Sequence, residues 1–129
     1  MPILPGAEPY SNDGGDIGVL VCHGYSGSPQ SMRPWAEHLA AHGYTVRLPL
    51  LPGHGTTWQE LNKTRWQDWY GELDTAFREL HERCSQVFVV GLSMGGLLAT
   101  KVAQEHGPQV SGLVLVNPIY AHPNPLLKL

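Results

Sequence analysis

Two cysteines in 129 residues, Cys22 and Cys84, are too few for a disulfide framework, and no C-x-x-C pair is present to hold a metal. Cys22 lies inside an apolar run and Cys84 near the end of a helical pattern, so both are expected as reduced thiols, in the core or at the surface, of a cytosolic protein. An excess of one charge is also lacking. Lys and Arg number 8 against 11 Asp and Glu, and they are dispersed, which leaves no basic stripe for nucleic acid and no acidic tail. No apolar run is long enough to cross a bilayer. The opening residues Met1 to Pro9 contain neither a basic region nor a continuous apolar stretch, so no secretory signal is expected and the expected location is cytoplasmic. Nothing in the composition asks for a metal or an organic cofactor.

What is present is punctuation around short apolar runs. Gly (15) and Pro (11) make up about a fifth of the chain and cluster between apolar segments as loop signals. Four runs, Ile17 to Cys22, Thr45 to Leu48, Gln86 to Val90 and Val110 to Val116, read as strands buried on both faces. Stretches able to hold a helix separate them, which predicts βαβ units and a parallel sheet. The length allows one domain at most, with a core burying about two thirds of its unfolded surface. The first helix contains Trp35 to Ala41, is stopped by Gly43, and is expected to have Pro34 near its start, where a missing N–H costs nothing. The second carries Trp66, Trp69, Tyr70, Leu73, Phe77 and Leu80 at three- and four-residue steps, a spacing read as a core face, with Thr64 and Gln67 as its capping box. The third ends near Gly107-Pro108.

Two loops carry chemistry. Gly91-Leu92-Ser93-Met94-Gly95-Gly96 places a serine between glycines, after one β-branched run and before a helical stretch. A serine on so sharp a strand-to-helix turn is strained and needs small neighbours, because a β-carbon at Gly91 or Gly95 would meet the adjoining strand or helix. Ser93 is therefore the candidate nucleophile. The run Ile17 to Cys22 leads into His23-Gly24-Tyr25-Ser26-Gly27-Ser28-Pro29, in which Gly24 lets the backbone turn its N–H groups toward Ser93. Acyl transfer creates a tetrahedral oxyanion, for which the N–H groups of Tyr25 and Met94 are the candidate donors. The side chains of His23 and Tyr25 are read as a structural histidine and a pocket wall. Leu51-Pro52-Gly53-His54-Gly55 forms a third loop at the same sheet edge, and His54 is read as structural.

With these three loops in this order, the chain resembles the α/β-hydrolase superfamily and, more closely, bacterial carboxylesterases of the monoacylglycerol lipase type. The resemblance implies the N-terminal half of an α/β-hydrolase fold, a mostly parallel sheet of about four strands with three crossover helices, and makes residues 1–129 a partial domain. It implies Ser93 as the nucleophile of a serine ester hydrolase acting on esters of short or medium acyl chains, with monoacylglycerols a candidate.

The rest of the catalytic set is missing. A serine hydroxyl needs a histidine to take its proton and an acid to orient that histidine, and in this superfamily both follow the serine. After Ser93 there is no aspartate, the only acid is Glu105, and the only histidines are His106 and His122. Glu105 and His106 lie more than two helical turns past Ser93, and His122 falls in a proline-rich tail with no acid to orient it. The expected acid and histidine belong to strands and loops beyond Leu129, as does the lid. The last strand is then expected to present an apolar edge open to self-association. Alternatives are a non-catalytic remnant that binds through that edge, or a thioesterase or acyltransferase of the same fold. A dinucleotide-binding domain fits poorly, since no G-x-G-x-x-G follows the first strand.

Overall fold

The computed structural model describes residues 2–118 and 120. Five strands, β1 (Tyr10–Asn12), β2 (Ile17–Cys22), β3 (Thr45–Leu48), β4 (Gln86–Leu92) and β5 (Gly112–Val116), form one sheet in the order β1-β3-β2-β4-β5. Strands β3, β2, β4 and β5 are parallel, as the alternating pattern predicts, and β1 adds an antiparallel edge to β3. Helices α1 (Pro29–Ala41), α2 (Trp58–Asn62), α3 (Trp66–Arg83) and α4 (Met94–His106) make the connections. Among the described residues no helix is long and apolar enough to cross a membrane.

The central strands are buried on both faces, and the period of two sorts their side chains into two cores. Leu20, Cys22, Val87 and Val89 pack with Leu73, Phe77 and Leu80 of α3 and with Leu98, Ala99 and Val102 of α4. On the other face Val19, Val21, Val46, Leu48 and Val90 pack with Met32 and Ala36 of α1. Cys22 and Cys84 are both free and buried. The parallel register pairs Val21 with Val90 and Cys22 with Gly91, so the loops leaving β2 and β4 emerge side by side.

Several local expectations are corrected. Pro34 lies inside α1; its start is Pro29, behind Ser28, whose side chain accepts from the Gln30 N–H at 3.3 Å. An interior proline deprives the Gln30 carbonyl of its donor, and it is tolerated because this side of α1 faces solvent. The capping pair of α3 is not Thr64 with Gln67. Asp68 accepts from the Arg65 N–H at 2.8 Å, while the Thr64 hydroxyl accepts from Trp69 Nε1 at 2.9 Å. The aromatic stripe of α3 is only partly a core face: Leu73, Phe77 and Leu80 are fully buried, whereas Trp66 stays 49% exposed, with Lys101 Nζ 5.6 Å from its ring centre. The last strand begins at Gly112, two residues after the expected Val110, because Gly107–Gln109 forms a single 3₁₀ turn.

Candidate active site

Strand β4 ends at Leu92 and helix α4 begins at Met94, which leaves Ser93 alone to make the bend at φ 55° and ψ −120°. A non-glycine residue there stores roughly 1–3 kcal/mol, held by its surroundings. The Ser93 N–H donates to the Val116 carbonyl of β5 at 2.8 Å, and the Gly96 N–H donates to the Ser93 carbonyl at 2.9 Å. Its hydroxyl does not cap α4. A β-carbon on Gly91 would lie 2.3 Å from the Gly95 carbonyl oxygen, and one on Gly95 would lie 2.5 Å from those of Cys22 and His23. The glycines around Ser93 are thus set by contact with backbone on both sides.

The loop after β2 meets this bend directly. A methyl group on Gly24 would lie 3.3 Å from the Leu92 carbonyl oxygen and 3.7 Å from Ser93 Cβ. Gly24 to Gly27 form a turn closed by the Gly27 N–H on the Gly24 carbonyl at 3.1 Å, with Ser26 at φ 57°. The N–H groups of Tyr25 and of Met94, the first residue of α4, have no hydrogen-bond partner among the described residues. Met94 also stands at the positive end of the helix dipole. The Tyr25 side chain is 52% exposed, and its ring is 5.6 Å from Trp69 and 6.0 Å, edge-on, from His54. Trp69, read from the sequence as core, therefore flanks the site. Only the fold of the loop after β3 brings it there.

Both loop histidines are buried. His23 accepts from the Leu51 N–H through Nε2 at 3.1 Å, and its Nδ1 lies 2.9 Å from the Gly24 carbonyl. His54 has Nδ1 3.1 Å from the Pro52 carbonyl and a ring packed against His23, Tyr25 and Trp69. Burial pushes the His23 imidazole down to about 4 and lowers His54 as well, so both are neutral at pH 7. A histidine with a depressed folded-state pKa takes its proton more readily once unfolded. Stability is therefore complete above the ordinary value of 6.5 and declines as pH falls from 6.5 toward 4. His23 alone accounts for roughly 3 kcal/mol of that decline. Urea titrations at pH 7 and pH 4.5 are expected to show most of it, with a smaller difference in His23→Asn; equal midpoints for the unaltered chain at both pH values would contradict it.

Among the described residues after Ser93, neither Glu105 nor His106 is placed to act as its base. Glu105 pairs with Lys101 at 3.0 Å. His106 does have an acid, Asp74 of α3, at 2.5 Å, and the sequence reading missed this partner because it lies 32 positions away. His106 of that pair sits at the far end of α4, about 20 Å from Ser93 by helical rise. The His106 ring lies tilted against Phe77 at 4.5 Å, and Asp74 also holds Arg78 at 2.9 Å, so the pair fastens α4 to α3. His122 lies outside the described residues.

The chain is similar to known proteins in sequence and fold. The chain is 47% identical over 116 residues to the thermostable monoacylglycerol lipase of Bacillus sp. (strain H-257), covering 90% of this chain and 46% of the relative. It is 32% identical over 96 residues to a carboxylesterase of Bacillus subtilis (strain 168), covering 74% of this chain and 39% of that protein. The chain thus spans less than half the length of these curated relatives. A solved structure from work on LipS and LipT, two metagenome-derived lipolytic enzymes, superposes with a TM-score of 0.92 at 45% identity, covering 96% of this chain and 51% of that one. Residues 16–129 match the family described as "Serine aminopeptidase, S33", and the chain belongs to this family of α/β-hydrolases.

Proposed function

We propose that this chain carries the nucleophile half of a serine carboxylic ester hydrolase, with Ser93 as nucleophile and the N–H groups of Tyr25 and Met94 as oxyanion donors. The observation that carries the reading is the Ser93 bend at φ 55°, set between glycines and directly against the Gly24 loop. Ser93 Oγ attacks the ester carbonyl carbon, and the carbonyl π electrons move onto oxygen, where the two N–H groups receive the charge. The proton leaving the Ser93 hydroxyl passes through a base to the departing alkoxide as the tetrahedral species collapses to acyl-serine and alcohol, and water then adds to the acyl carbon, releasing the acid and restoring the hydroxyl. Substrates are esters of short or medium acyl chains, monoacylglycerols among them. Both relatives named above, a monoacylglycerol lipase and a carboxylesterase, support this class.

The histidine base and its acid are not among the described residues, so turnover of p-nitrophenyl butyrate by this chain is expected well below 1 s⁻¹, roughly the low end for enzymes. Acylation is helped by the good p-nitrophenolate leaving group, whereas attack of water on the acyl-serine depends fully on the base. A butyryl group is therefore expected to accumulate on Ser93 and to be found there by mass spectrometry of the treated chain, and to vanish in Ser93→Ala. Acylation confined to lysines, or unchanged by Ser93→Ala, rejects the assignment.

A second reading, a module that pairs through its sheet edge, draws on β5, which ends the sheet with Val114 44% exposed. Sedimentation of a single monomeric species removes it.

A further inference from the structure

We infer that His23 is a positioning residue: as its Nδ1–H tautomer it grips the Gly24 carbonyl and thereby aims the Tyr25 N–H at the site where an oxyanion forms. This rests on the assignment of Tyr25 as a donor in the proposed hydrolase. The tautomer follows from geometry. The Leu51 N–H can only donate, and it points at His23 Nε2 at 3.1 Å, so Nε2 is bare and the ring proton sits on Nδ1. That proton is then donated to the Gly24 carbonyl at 2.9 Å. The opposite tautomer would set two N–H donors face to face at Leu51 and two acceptors face to face at Gly24, losing both bonds where His23 is wholly buried.

The consequence passes through one peptide group. The Gly24 carbonyl accepts a second bond from the Gly27 N–H at 3.1 Å, so two donors converge on it. A trans peptide is planar, and its N–H points away from its own C=O. Holding the Gly24 oxygen therefore directs the Tyr25 N–H to the opposite side, with Gly24 itself packed on Leu92 and Ser93. Leu51 belongs to a turn closed by the His54 N–H on its own carbonyl at 3.1 Å, so the loop after β3 sets the direction of a donor in the loop after β2.

Nitrogen NMR of the imidazole together with residual dipolar couplings of the Tyr25 N–H tests this in the unaltered chain without any substrate. The expected result is a protonated Nδ1 and a bare Nε2; a protonated Nε2 overturns the inference by itself. Two variants separate the two bonds. The amide nitrogen of His23→Asn takes the place of Nδ1, keeps the grip on Gly24 and should preserve the Tyr25 coupling. His23→Gln reaches the place of Nε2, keeps the partner of Leu51, releases Gly24 and should lose that coupling. Acylation of Ser93 is expected to slow about 10²–10³-fold in His23→Gln and only slightly in His23→Asn. Any other pattern, with the couplings of Val21 and Val89 unchanged as the mark of an intact sheet, overturns the inference. If a variant does not fold, the tautomer in the unaltered chain still decides. Acylation that survives Ser93→Ala in a chain with the Tyr25 vector intact counts instead against Ser93 as nucleophile, so the two assignments fail separately.

Discussion

Joined in register to the C-terminal remainder of the Bacillus monoacylglycerol lipase, this chain is expected to hydrolyse p-nitrophenyl butyrate faster than about 1 s⁻¹, and Ser93→Ala in that fusion is expected to lower kcat by about 10⁶. The residues matched by the chain make up 46% of that relative, so the fusion adds the part the chain does not match. The size of the effect comes from the way serine, histidine and acid act as one unit: removing any essential member leaves only what binding and the oxyanion donors supply. Among the described residues after Ser93 no histidine lies within its reach, and the chain alone is expected near that floor. A folded fusion whose turnover survives Ser93→Ala would show that another group performs the chemistry.

Gly95→Ala should abolish the cooperative thermal transition of the chain. The new β-carbon would stand 2.5 Å from the carbonyl oxygens of Cys22 and His23 at once, and both are backbone atoms at the end of the central strand β2. Relief requires α4 to lift off the sheet, which separates Leu98, Ala99 and Val102 from their core. A cost above about 4 kcal/mol is large against the 5–15 kcal/mol that holds an ordinary domain together. Gly71→Ala supplies the contrast. Gly71 lies within α3 with nothing inside 4 Å of an added methyl group, and alanine there should stabilise by about 0.5–1 kcal/mol through helix propensity. Urea midpoints measure both, and a Gly95→Ala chain with the original midpoint would refute the contact.

The run Ile17–Cys22 was legible to the residue because a strand buried on both faces must be apolar throughout, and Thr45–Leu48 because Thr45 and Val46 are β-branched, even though it carries Arg47, paired with Asp13 and Glu79. The bend at Ser93 was legible because only glycine fits beside it. Strand β1 was not, since Tyr10–Asn12 has three residues, an exposed centre, and takes its direction from β3, 34 or more positions away. Helix α2 has five residues, too few for a periodic signal. Pro34 misled because its position in a helix depends on where Ser28 caps it. Trp66 misled because helical spacing predicts a face but not how far along its length another element covers it.

Local chemistry alone determined the alternation of strands and helices, the glycines beside Ser93 and the loop character of His23 to Ser28, since each follows from steric limits acting within a few residues. The tertiary structure decided what those limits cannot reach: which tautomer His23 holds, that Asp74 meets His106, and that Trp69 stands beside Tyr25. These depend on hydrogen bonds and ring contacts between segments far apart in the chain, brought together only when β2 and β4 pair and the loop after β3 folds over them.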